Sequence, residues 1–183
     1  MTDQLTVTLE IADLEALEDF AARLAPLLRA GDLIILTGNL GAGKTTFTQA
    51  LGSRLNVKGR ISSPTFVIAR EHKSRGTGPN LVHVDAYRLD GQTELADLDL
   101  DSELEESITI VEWGAGMAEQ LDDERLEIVL DRPDEDPESE RRTVVLTGRG
   151  APWAHRLTLL ASPPQDAGAR EPHVQKETKE DEK

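Results

Sequence analysis

No cysteine occurs in the 183 residues, which excludes disulfides, zinc–thiolate sites and thiol nucleophiles and suits a reducing compartment. Basic residues are in short supply: 20 Lys and Arg face 35 Asp and Glu, for a net charge of −15. Residues 161–183 contribute six acids and four bases, so residues 1–160 carry −13 of that charge. A broad basic face that would neutralise nucleic-acid phosphates is therefore excluded, and no stable direct binding of nucleic acid is expected. No apolar run approaches the ~18 residues of a membrane span. Met1-Thr2-Asp3-Gln4 lacks the charged and apolar regions of a signal peptide, so a cytoplasmic protein with no membrane association is expected. No repeat period is visible, and His72, His83, His155 and His173 show no metal-ligand spacing, which leaves them as structural or surface residues.

What is present centres on Gly38-Asn39-Leu40-Gly41-Ala42-Gly43-Lys44-Thr45-Thr46, a match to the G-x-x-x-x-G-K-[ST] phosphate-binding loop. Leu33 to Thr37 before it has the length and β-branched content of a buried strand, and Thr45 to Leu55 after it carries no proline and reads as a helix. The chemistry accounts for each residue type. Polyphosphate needs many donors close together, and backbone N–H groups supply them where glycines leave the approach open. The helix start adds partial positive charge. Lys44 reaches the β- and γ-phosphates, and the Thr45 hydroxyl is the expected Mg²⁺ ligand.

Around this loop the chain reads as an α/β domain over 1–160, with a polar tail over 161–183 that lacks apolar periodicity and is expected to be disordered. Leu5 to Leu9 alternates like an edge strand. Leu14, Leu17, Ala21, Leu24 and Leu28 mark an amphipathic helix running from an Asp13 cap to Arg29, with Pro26 bending its last turn. Ile61-Ser62-Ser63-Pro64-Thr65 leads into a strand at Phe66–Ile68 or slightly beyond; taken alone Ser-Pro-Thr reads as a turn before a strand, while in P-loop proteins a hydroxyl in this segment often senses the γ-phosphate. Lys73 to Asn80 is a hairpin or loop. Leu81–Asp85 and Ile108–Glu112 are buried strands, each ending in a carboxylate. A single strand-terminal acid can simply cap the segment that follows, but strand ends in open α/β sheets face the ligand, and beside a full P-loop one of the two acids would hold Mg²⁺ and the other would orient the attacking water. Thr93 to Glu106 holds seven acids and no base, a solvated face broken by leucines. Leu126–Leu130 and Thr143–Thr147 are late strands whose alternation indicates antiparallel pairing, and Trp153 and Leu157 dock a final short helix. The expected fold is that of P-loop NTPases: a mixed central sheet, parallel core strands, late antiparallel strands and helices on both faces.

Taken in order, "TGNLGAGKTTF", "SSPTF", "HVDAYRL" and "IVEW" resemble the TsaE (YjeE) family over about Leu9 to Gly150. The resemblance implies an ATPase subunit, weakly active alone, that uses ATP and Mg²⁺. Its partners would be TsaD and TsaB, in the complex that makes threonylcarbamoyladenosine at position 37 of tRNAs reading codons that begin with adenine. By that likeness Gly38 to Thr45 hold phosphates, Thr45 and Glu112 bind Mg²⁺, Asp85 is needed for hydrolysis and Thr65 lies in a switch-like segment. Trp113 and Arg88 match positions near the site or partner face, and Asp13 and Leu14 match the adenine side. The second reading is a P-loop kinase for a small molecule, with Asp85 as base. A guanine-specific switch ranks last, because no Asn-Lys-x-Asp string occurs.

Overall fold

A computed structural model describes residues 4–64, 68–98, 100, 104–133, 136 and 138–161. Its seven strands are β1 (Gln4–Ile11), β2 (Leu33–Thr37), β3 (Ala69–His72), β4 (Asn80–Asp85), β5 (Ser107–Glu112), β6 (Arg125–Asp131) and β7 (Arg142–Arg149). They form one sheet in the order β1-β7-β6-β2-β5-β4-β3. Strands β6, β2, β5 and β4 run parallel, while β1–β7, β7–β6 and β4–β3 are antiparallel. Burial on both faces explains why β2, β4 and β5 read as continuous apolar runs.

Among the described residues, α1 (Leu14–Leu24), α2 (Lys44–Arg54), α3 (Gln92–Ala96) and α4 (Ala151–Ala161) cover the sheet. Ile34, Leu36, Leu81, Ile108 and Ile110 share one core with Phe20 and Leu24 of α1, Phe47 and Leu51 of α2, and Trp153 and Leu157 of α4. Stacked rings of Phe20 and Phe47, 5.2 Å apart, join α1 to α2. The opposite face pairs Leu33, Ile35, Val82, Val84 and Val111 with Leu95 of α3 and with Leu100 and Ala118. Helices thus lie on both faces, with the longer three on one side. No described helix is long and apolar enough to cross a membrane.

Two boundaries and one strand pairing differ from the expectation. Helix α1 stops at Leu24 and passes into a 3₁₀ turn, Ala25–Leu27, with Leu28 already extended, instead of continuing to Arg29. Pro26 has no N–H to donate and its ring crowds the preceding turn, so the α-helix gives way there. Ile68 is not in a strand: its φ is +70°, and β3 begins at Ala69. Ala-Arg-Glu-His at the sheet edge lacks the apolar alternation that would mark it. Strand β6 pairs antiparallel with β7 but also parallel with β2. Phe66, Val67, Thr65 and the tail from Ser162 onward lie outside the described residues.

Candidate functional site

The loop between β2 and α2 has a backbone that side chains would block. A Cβ on Gly38 would stand 2.3 Å from the Leu130 carbonyl oxygen of β6, and its φ of +151° is one that L-residues rarely adopt. Gly43, at φ +104°, occupies the cap position of α2, and its carbonyl accepts from Phe47 N at 2.8 Å. Leu40 at the loop tip is 87% exposed. Ala42 is buried, and its carbonyl oxygen accepts from Arg142 Nε at 2.8 Å, so this β7 arginine braces the loop from behind.

Lys44 opens α2 with its side chain folded over the loop. Its Nζ donates to Gly38 O at 2.6 Å and Asn39 O at 3.1 Å, and it sits 3.9 Å from the centroid of the Trp113 ring. Burial lowers its ammonium below the ordinary lysine value, while the charges of Glu112 and Asp85 oppose that shift. An arriving polyphosphate would favour the charged form further.

Parallel pairing of β4 with β5 sets Asp85 directly opposite Glu112. Both lie at the carboxyl ends of their strands, the edge from which the loop leaves β2. Glu112 is buried, and Thr45 Oγ1 donates to its two carboxylate oxygens at 3.1 and 3.2 Å. Asp85 is buried too. Its Oδ2 accepts from Ser63 Oγ at 2.9 Å and its Oδ1 from Tyr87 N at 3.0 Å, so it caps the short turn Ala86–Arg88 while facing the loop. Trp113 holds φ +61°, unusual for a bulky residue, and its ring lies 5.1 Å from that of the exposed Tyr87. Together these groups line a cleft of about 550 Å³.

A smaller cavity of about 200 Å³ lies across the loop, between Asp13, Leu14 and Leu17 of the α1 start and Ala42, Gly43 and Arg142. Thr46 lines both spaces. Asp13 also caps α1, its Oδ1 accepting from Ala16 N at 2.9 Å. Arg88 lies on the exposed turn after Asp85. A third cleft, about 520 Å³, sits at the far end of α2 beside Arg60 and Arg75 and contains none of the residues chosen from sequence.

Sequence reasoning passed over His83, whose Nε2 lies 2.7 Å from Glu112 Oε1 in a fully buried position. The signal was available: His83 lies two residues before Asp85, on the same face of an otherwise apolar strand. Arg142 carries no such signal, because only the fold brings β7 to the loop.

A parallel-cored sheet with a glycine loop feeding α2, and two acids from adjoining strand ends at that loop, defines the P-loop NTPase fold class. The family model "Threonylcarbamoyl adenosine biosynthesis protein TsaE" matches residues 11–143, and the chain belongs to the TsaE family. A Streptomyces coelicolor protein named "tRNA threonylcarbamoyladenosine biosynthesis protein TsaE" is 55% identical over 139 residues, 75% of this chain and 94% of that one. A Bacillus subtilis protein of the same name is 41% identical over 113 residues, 61% of this chain and 69% of its own. The crystal structure of Bacillus subtilis YdiB superposes with a TM-score of 0.67 at 30% identity, covering 87% of this chain and 95% of that chain.

Proposed function

We propose that this chain is the Mg²⁺-dependent ATPase subunit of a tRNA-modifying assembly. In this reading it binds a TsaD–TsaB-type complex and hydrolyses ATP to sustain formation of threonylcarbamoyladenosine at position 37 of tRNAs reading A-starting codons. The observation that carries the reading is the meeting of Thr45, Glu112 and Asp85 at the mouth of a glycine loop, with Glu112 3.1 Å from the Thr45 hydroxyl.

The roles divide by geometry. Main-chain amides from Gly38 to Thr46, with Lys44, grip the phosphates; the cavity at Asp13 and Leu14 takes the adenine side. Thr45 and Glu112 would hold Mg²⁺, and their oxygen donors are the hard set this ion prefers. When bound, Mg²⁺ supplies charge stabilisation to the transferring phosphoryl group. Asp85, hydrogen-bonded and next to Glu112, orients and deprotonates the attacking water. Thr65 belongs to the segment that answers the γ-phosphate. Trp113, Tyr87, Arg88 and the exposed Leu40 form the rim that a partner would cover, and the tRNA would be held by the partners and not by this acidic chain.

The test is phosphate release from ATP with and without the TsaD–TsaB complex, together with capture of that complex in the presence and absence of ATP. Stimulated release and nucleotide-dependent capture are expected. Transfer of phosphate to an added metabolite in place of water would overturn the reading, as would normal tRNA modification in cells carrying only Lys44→Ala or Glu112→Ala protein.

A further inference from the structure

We infer that His83 is a positioning residue for Glu112, anchoring one carboxylate oxygen so that the group presents a fixed edge to Thr45 and to the cation bound there. The inference rests on the reading of Glu112 as the metal-side acid and extends it to a residue that the motif chemistry does not assign. The register of β4 against β5 pairs His83 with Ile110 and Asp85 with Glu112, so His83 reaches Glu112 diagonally on one face of the sheet. Its side chain is fully buried and its Nε2 stands 2.7 Å from Glu112 Oε1. With Nε2–H as the donor, Nδ1 is a lone pair, and Nδ1 is one of the buried side-chain atoms without a hydrogen-bond partner.

That orphaned nitrogen separates a positioning role from a core-filling one. An imidazole kept only for packing is a poor choice here, since an apolar ring of similar size would fill the space without burying an unsatisfied nitrogen. What an apolar ring cannot do is donate to the carboxylate. Glu112 has three rotatable side-chain bonds and, besides His83, is bonded by the Thr45 hydroxyl, the group expected to turn to the cation. Once Thr45 turns, His83 is the donor that still fixes the carboxylate. Carboxylates that ligate metals are commonly held in this way by a second hydrogen bond, and losing such a partner weakens metal binding by roughly 10- to 100-fold.

Calorimetric titration of ADP into wild-type, His83→Phe, His83→Gln and Glu112→Gln proteins, each in excess Mg²⁺ and in EDTA, tests this. In EDTA all four should bind ADP alike, because the loop amides and Lys44 are untouched. In Mg²⁺, His83→Phe should lose roughly 10- to 100-fold of the affinity gain, approaching Glu112→Gln. His83→Gln, whose amide N–H can still donate to Oε1, should recover most of it. The inference falls if His83→Phe keeps the wild-type response to Mg²⁺, if it weakens ADP binding equally in EDTA, or if His83→Gln is no better than His83→Phe. Loss of the Mg²⁺ response in Glu112→Gln but not in His83→Phe would sink this inference alone. A wild-type protein indifferent to Mg²⁺ would sink the Glu112 reading and this one with it.

Discussion

At the scale of single residues, the proposed function assigns grip and chemistry to different side chains, and two substitutions should separate them in the same way. Lys44 spends its donors on Gly38 O and Asn39 O within the loop, where a phosphate would take their place. Hydrogen bonds to charged groups contribute about 1.5–3 kcal/mol each, so Lys44→Ala should weaken ATP binding by on the order of 10- to 100-fold in a calorimetric titration. Asp85 sits behind Ser63 and the Tyr87 amide, held by its own neighbours. Asp85→Asn keeps an oxygen for the cap and loses the proposed base, so ATP binding should persist while phosphate release falls by roughly 10²- to 10⁴-fold. Equal loss of binding in the two variants would contradict the division of roles. The sequence displayed Lys44, Thr45, Asp85 and Glu112 openly, because each belongs to a spaced motif or ends an apolar run. His83 shows its place in the sequence, two residues before Asp85 on one face of the strand, but not its role, since a histidine inside a strand looks like any other core histidine until its partner is known.

At the scale of elements, the strands that were easiest to read are those with the plainest environment. Strands β2, β4 and β5 are buried on both faces, so composition alone marks them, whereas β3 is a polar edge strand whose identity comes from its pairing with β4. The helix α1 start was legible in Asp13 because capping is local, and its end was misjudged because Pro26 breaks a periodicity that continues to Leu28 in the sequence. Replacing Asp13 with Ala removes the acceptor for Ala16 N and should cost about 1 kcal/mol in denaturant unfolding, whereas Asp13→Asn should stay close to wild type. Strand β3 carries a second prediction through His72. This ring is buried, with Nδ1 3.3 Å from Lys58 O and Nε2 without a partner. Burial lowers its pKa below the ordinary histidine value, with the Lys58 carbonyl opposing and His83 and Arg70 adding to the depression. The unfolded chain therefore takes up this proton first as pH falls through about 6.5, and folded stability drops by at most about 1.4 kcal/mol per pH unit until the folded pKa is reached. Urea unfolding at pH 7.5 and 5.5 should show a smaller loss for His72→Gln than for wild type.

At the scale of the whole molecule, the site depends on a half of the sheet that supplies none of its proposed phosphate or metal groups. The loop presses against Leu130 of β6 and is braced by Arg142 of β7, and β7 in turn pairs with β1 under α4. Helix α4 lies beyond the residues matched by the family model, yet it places Trp153, Leu157 and Leu160 in the main core. Arg156 adds an ion pair to Asp32, 2.6 Å away in the turn before β2, which links α4 to the strand that delivers the phosphate loop. Burial of one large apolar side chain contributes about 1.5–3 kcal/mol, so losing three removes on the order of 5–9 kcal/mol. That is comparable to the roughly 5–15 kcal/mol by which whole domains are stable. A chain ended at Gly150 should therefore unfold or lose its cooperative transition, and ATP binding with it, although every loop, acid and hydroxyl of the site is retained. A chain ended at Ala161 discards only the polar stretch without apolar periodicity, and it should match the full chain in both denaturant midpoint and ATP affinity. Cooperative unfolding and full ATP binding by the chain ended at Gly150 would mean that the sheet and its glycine loop fold without α4.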